Sequence, residues 1–130
     1  MRHAYIASRS AEPRADGRDS LGSRLDGDRS GKLARLEDVL EEITAAGERA
    51  LIFTQFAEMG TLLQTHLSEL LDVDLPFLYG AVPERRREEM IDSFQSESGP
   101  PVLILTLKAG GVGLNLTAAN HVVHYDRWWN

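Results

Sequence analysis

The chain has 130 residues, a net charge of −6 and no cysteine. That length suits one domain with a modest core, the missing thiols exclude disulfide staples and thiolate metal sites, and the acidic balance excludes nucleic-acid binding by bulk charge alone. No apolar run is long enough to span a membrane and no signal-peptide core occupies the first thirty residues, so the expected location is the cytosol, with no membrane partner.

Residues 1–29 are rich in Arg, Asp, Gly and Ser and poor in large apolar side chains. They cannot bury enough surface to offset the entropy of ordering, and are predicted to be disordered or poorly ordered, ahead of a domain over 30–130. The first thirty residues carry six arginines against five acids, whereas the other hundred carry eight bases against fifteen acids, so the acidity belongs to the body. From Ser30 the pattern changes. Leu33, Leu36, Leu40 and Ile43 recur at helical spacing, with Ser30 as expected N-cap and Gly47 as expected stop. Ala50 to Phe53 is a buried-strand pattern. Leu62, Leu63, His66, Leu67, Leu70 and Leu71 mark a second helix from about Ala57, and Leu75 to Tyr79 a short strand. Pro83 is expected in the first turn of a third helix, whose apolar face holds Arg87, Ile91 and Phe94. Val102 to Leu105 and Val122 to Tyr125 are the last two strands.

The strands at Ala50 and Val102 are apolar on both faces, as in a parallel sheet covered by helices on both sides. The expected class is therefore α/β with three layers. Ligands of such sheets bind beyond the carboxyl ends of the strands, where two segments stand out. One is Thr54-Gln55-Phe56, in which Phe53 and Phe56 are expected in the core. The other is Thr106-Leu107-Lys108-Ala109-Gly110-Gly111-Val112-Gly113-Leu114-Asn115. A strand that empties into glycines offers backbone N–H groups to a phosphate without side chains in the way. A tight turn without a ligand would use the same residues. The segment is not a dinucleotide fingerprint, because Leu116 stands where G-x-G-x-x-G needs a third small residue. The four histidines form no ligand set, and His121 and His124 are expected on opposite faces of their strand.

These pieces, with Ser30-Gly31-Lys32-Leu33, Tyr79-Gly80 followed by Arg87, and Tyr125-Asp126-Arg127-Trp128-Trp129-Asn130, occur in an order and spacing that resembles the second RecA-like lobe of bacterial Swi/Snf-type ATPases, members of helicase superfamily two. The resemblance runs from about residue 22 to 130. It implies a RecA-like parallel sheet, incomplete at the C-terminus because the sequence stops before the expected motif six. It implies a domain that lines one side of an ATP cleft and grips the backbone of double-stranded DNA. A first RecA-like lobe, in cis or in trans, would supply the phosphate loop and the magnesium-binding acids, which this sequence lacks. ATP and Mg are thus expected only in a complete two-lobe enzyme, and the isolated chain is expected to bind no cofactor and to hydrolyse no ATP. A nucleoid-associated place in the cytoplasm follows from the same resemblance.

Carried over residue by residue, the resemblance places Gln55, Gly110, Gly111 and Gly113 at the ATP cleft, and Thr106, Lys108, Gly111, Arg87 and Trp129 against DNA, with no catalytic or metal-ligating residue in the chain. Each has a plainer reading. Gln55 could be a surface amide, Lys108 a solvated loop charge, and Trp129 an anchor for the end of the sheet. Arg87 could serve lobe structure by pairing with a carboxylate. Two other functions stay open on sequence alone: a truncated, non-catalytic binding module, and, more weakly, a small Rossmann-type nucleotide-binding domain.

Overall fold

The computed structural model describes residues 30–110 and 116–126, and the expectation of disorder over 1–29 falls outside them. Helix α1 spans Ser30–Ala45, strand β1 Ala50–Thr54, helix α2 Ala57–Leu71, strand β2 Phe77–Leu78, helix α3 Glu84–Gln95, strand β3 Val102–Thr106, the single turn α4 Leu107–Gly110, and strand β4 His121–His124. The four strands form one parallel sheet in the order β2-β3-β1-β4. The two strands that are apolar on both faces take the two central positions, because only there are both faces covered.

The alternation of side chains along each strand sorts the core into two layers. Ala50, Ile52, Val102, Ile104, Phe77 and Val123 pack with the leucines of α1 and α2. Leu51, Leu78, Leu103 and Leu105 pack with Met90 and Phe94 of α3 and Ala109 of α4. From β1 the chain moves outward through α2 to the edge strand β2, then returns through α3 to β3. Crossovers of one hand that reverse direction put their helices on opposite faces, which produces the third layer. Each buried leucine contributes about 1.5 to 3 kcal/mol, so the α1 stripe of Leu33, Leu36, Leu40 and Ile43 holds that helix to the sheet.

Helix ends follow local chemistry. Gly47 has φ 74°, and the amides of Gly47 and Glu48 close α1 onto Thr44 O and Ile43 O, both at 3.0 Å. This is the expected glycine stop. Helix α2 ends on Asp72 in the left-handed region, φ 57°, with its N–H on Glu69 O. Gly60 lets α2 lie directly on β2, since a Cβ there would sit 2.1 Å from the Phe77 ring.

Several expectations shift. Helix α1 already includes Ser30, which therefore does not stand outside it as a cap. Pro83 is the N-cap of α3 rather than a residue of its first turn, and α3 begins at Glu84. The strand expected from Leu75 to Tyr79 shortens to Phe77–Leu78, because Leu75 packs into the core from a loop and Tyr79 is exposed at the sheet edge. Phe56, expected in the core, is 65% exposed, since the chain turns outward there to open α2. His121 and His124 do take opposite faces: His124 stacks on Phe53 at 5.2 Å, whereas His121 Nε2 meets Glu48 Oε1 at 2.6 Å.

Candidate functional site

In the sheet order, the connection leaving β1 runs toward β2, and the chain leaving β3 runs the other way, toward β4. A crevice opens beyond the carboxyl ends of two neighbouring strands whose connections leave over opposite faces of the sheet, as these do. Here those ends are Thr54 and Thr106, partners in the β1–β3 register. The residues singled out in the sequence gather around them.

Both threonines are buried and both hydroxyls are engaged. Thr106 Oγ1 accepts the Ala109 N–H at 3.3 Å and so caps α4. The chain thus enters one helical turn before the glycines, where an open loop directly after β3 was expected. Gly110 ends that turn, and a Cβ on it would lie 2.3 Å from the Phe53 ring, so glycine is required there for close packing. Lys108 points from the same turn and is exposed. Gly111, Gly113 and Asn115 lie outside the described residues, as do Trp128 and Trp129.

Thr54 Oγ1 donates to the Asp126 carboxylate, at 3.1 and 3.0 Å from its two oxygens. The same carboxylate accepts the Gln55 backbone N–H. The Gln55 side chain is exposed beside it. On the α1 side of the rim, Lys32 Nζ lies 5.0 Å from the centroid of the buried Tyr125 ring, within reach of a cation–π attraction.

Arg87 is half-buried on the face of α3 that also carries the buried Met90 and Phe94. Its Nε is buried and has no hydrogen-bond partner. A buried guanidinium nitrogen left without an acceptor costs free energy, and the carboxylate pairing considered for it is not made. Arg86, by contrast, meets Glu89 at 3.3 Å on an exposed face, a pair that contributes little to stability.

The structure therefore brings Gln55, Thr106, Lys108 and Gly110 to one end of the sheet, with Arg87 in the first turns of a helix that starts at that end. It also shows two participants that motif spacing did not single out, Asp126 and Lys32. In the structure Val123 and Tyr125 are buried and Val122 and His124 exposed, and the residue after such a strand end is a place to look for a bridging carboxylate. Among the described residues no group of three or more His, Asp or Glu could hold a metal ion, and no helix is long and apolar enough to cross a membrane.

The family model described as "Helicase conserved C-terminal domain" matches residues 31–130. A Bacillus subtilis protein whose name describes an ATP-dependent helicase/translocase, YwqA, is 47% identical over 102 residues, 78% of this chain and 11% of its own length. The helicase SWR1 of Debaryomyces hansenii is 39% identical over 100 residues, 77% of this chain and 6% of its own. Among solved structures, the C-terminal domain of the Sulfolobus solfataricus SWI2/SNF2 ATPase superposes with a TM-score of 0.69 at 40% identity, over 83% of this chain and 50% of that one. The core of that ATPase in complex with double-stranded DNA superposes with a TM-score of 0.70 at 36% identity, over 83% and 24%. The chain thus spans about a tenth or less of the curated relatives it matches. The sheet has the RecA-like arrangement of these C-terminal domains.

Proposed function

Because the chain belongs to the helicase conserved C-terminal domain family, as a bacterial Swi/Snf-type C-terminal lobe, we propose that it acts as the second lobe of an ATP-driven DNA translocase. The observation that carries this reading is the gathering of Gln55, Thr106, Lys108 and Gly110 at the C-terminal ends of β1 and β3, where the topology opens a crevice. The solved relative with double-stranded DNA supports the choice of partner.

In this reading the rim divides its work. Gln55 presents an exposed amide to the ATP side, together with the backbone of Gly110, Gly111 and Gly113. Lys108, Arg87, the Thr106 turn and Trp129 meet the DNA backbone. In this reading the ammonium, guanidinium and peptide N–H groups meet phosphate oxygens, contacts that fix register without sequence preference. The isolated Arg87 Nε fits this assignment, since a phosphate oxygen would give it the acceptor it lacks inside the fold. The acids that hold Mg and the loop that holds the ATP phosphates would come from a first RecA-like lobe, so this lobe contributes positioning and backbone contact. ATP closing the two lobes, and hydrolysis reopening them, would alternate the grip on DNA. A soluble place beside the chromosome follows from that role.

The test is fluorescence anisotropy of a labelled random-sequence duplex titrated with the chain at several salt concentrations. The expected result is weak, sequence-independent binding that falls with salt, with a slope of about −0.9 per phosphate contact. Binding that ignores salt, or no binding at 50 mM salt, would overturn the DNA assignment. ATP hydrolysis by the purified chain alone is expected to stay at background, with and without DNA. Turnover stimulated by DNA would mean that this lobe holds catalytic groups not recognised here.

A further inference from the structure

We propose that Asp126 is a positioning residue, whose carboxylate makes the loop opening α2 and the chain leaving β4 move as one body; its functional weight rests on the translocase reading above. The last partners in the β1–β4 register are Phe53 and His124, followed by the Tyr125 N–H on Phe53 O at 2.9 Å. Beyond that point the backbone ladder stops, because β1 ends at Thr54 and the chain turns toward α2. The Asp126 side chain takes over the connection, accepting the Thr54 hydroxyl and the Gln55 amide.

Two features make this more than one additional bond. First, Thr54 is fully buried, so its hydroxyl needs an acceptor inside the fold, and Asp126 is the acceptor it finds. Second, the entry of α2 lacks a capping side chain: its N-cap is Phe56, extended at φ −122° and ψ 137°, with no side-chain capping bond. The residue that fixes the adjoining Gln55 amide lies 71 positions away in sequence. The start of α2 is therefore held from β4, and the segment held next to it continues from Asp126 directly into Arg127, Trp128 and Trp129. A shift on the nucleotide side, at Gln55, would be transmitted to the chain that carries Trp129 through a charge-assisted contact.

Amide hydrogen exchange on the full chain tests this with Asp126→Ala, Asp126→Asn, Thr54→Val and Thr54→Ser. Asp126→Ala should speed exchange at Gln55 about tenfold or more, the effect of losing a charge-assisted hydrogen bond, while the amides of Leu103 to Leu105 keep their rates. Thr54→Val should speed exchange at Tyr125 and Asp126 in return, because coupling is reciprocal, and Thr54→Ser should match the wild type. Added duplex DNA at low salt should slow exchange at residues 55–59 and beyond 125 together in the wild type, but only beyond 125 in Asp126→Asn. An unchanged Gln55 rate in Asp126→Ala overturns the proposal. So does a rate rise spread evenly over β3, which would make Asp126 a stabilising bond and nothing more, and so does a DNA response at both segments in Asp126→Asn. If the wild type responds to DNA nowhere, the DNA-grip reading fails, and the reciprocal exchange without DNA still decides the coupling.

Discussion

At the N-terminal ends of the strands, Arg49 exchanges backbone and side-chain bonds with Asn120: its N–H donates to Asn120 Oδ1 at 2.9 Å, and its carbonyl accepts the amides of Asn120 and His121 at 2.9 and 3.2 Å. Its guanidinium donates to the carbonyls of Phe94 and Glu97 at the end of α3 and lies over the Phe94 ring. Gln95 adds a second bracket, accepting the Ala118 N–H at 2.8 Å and donating to Thr117 Oγ1 at 3.2 Å. At the C-terminal ends, the exposed Gln55, Phe56 and Lys108 surround the part-buried Asp126 contact, and Arg87 Nε is left without an acceptor. One end uses its polar groups on the fold itself. The other keeps Gln55 and Lys108 in solvent and leaves Arg87 Nε unpartnered, at a cost in stability. Two arginines of one chain thus take opposite parts. Arg49 at one end donates to two carbonyls, and Arg87 near the other keeps a buried Nε without an acceptor.

That contrast can be broken by substitution, and the largest effect belongs to a site at neither end. Gly60→Ala should destabilise the chain by about 2 to 3 kcal/mol, because its Cβ would collide with the buried Phe77 ring; urea unfolding followed by circular dichroism measures this. Arg49→Ala should cost about 2 kcal/mol in the same assay, through two carbonyls left without their charged donor. Its DNA affinity, measured below the unfolding transition, should stay at the wild-type value. Lys108→Ala should do the reverse, weakening duplex binding about threefold to fivefold at 0.1 M salt and reducing the salt slope by about 0.9, with the unfolding midpoint unchanged. A loss of DNA affinity in Arg49→Ala equal to that in Lys108→Ala would remove the distinction between the two ends. The smallest expected effect is a gain: Asp72→Gly should stabilise by about 0.5 to 1 kcal/mol, since glycine occupies the left-handed α2 cap without steric cost.

Much of this architecture was legible in the residues. The spacing of Leu33, Leu36, Leu40 and Ile43 located α1 and its buried stripe, and the two doubly apolar strands announced their central, parallel places. The glycines after β3 follow the C-terminal end of that strand, which the structure sets beside the end of β1. What sequence reasoning missed has a common form. Phe56 was expected inside because it is large and apolar, but a chain turning into a helix can leave such a side chain in water. The strand at Leu75 was overextended, because Leu75 reaches the core from a loop and only Phe77 and Leu78 pair with β3. Gly110 has a packing reason, the Phe53 ring, that no local pattern could separate from a phosphate-binding one. Asp126 and Thr54 are joined across 72 positions, with no motif spacing to announce the pair.

Order along the chain settled which segments become helices and strands, because hydrophobic periodicity, glycine stops and proline starts act over a few residues. It also settled the family, through short motifs in a fixed succession. Tertiary structure alone decided which polar groups are satisfied: that Arg49 is spent on carbonyls, that Arg87 Nε is not, and that a carboxylate after β4 holds the entrance of α2. Such pairings depend on which strand ends lie side by side, and in a parallel sheet those neighbours are brought together only by crossovers that span most of the domain.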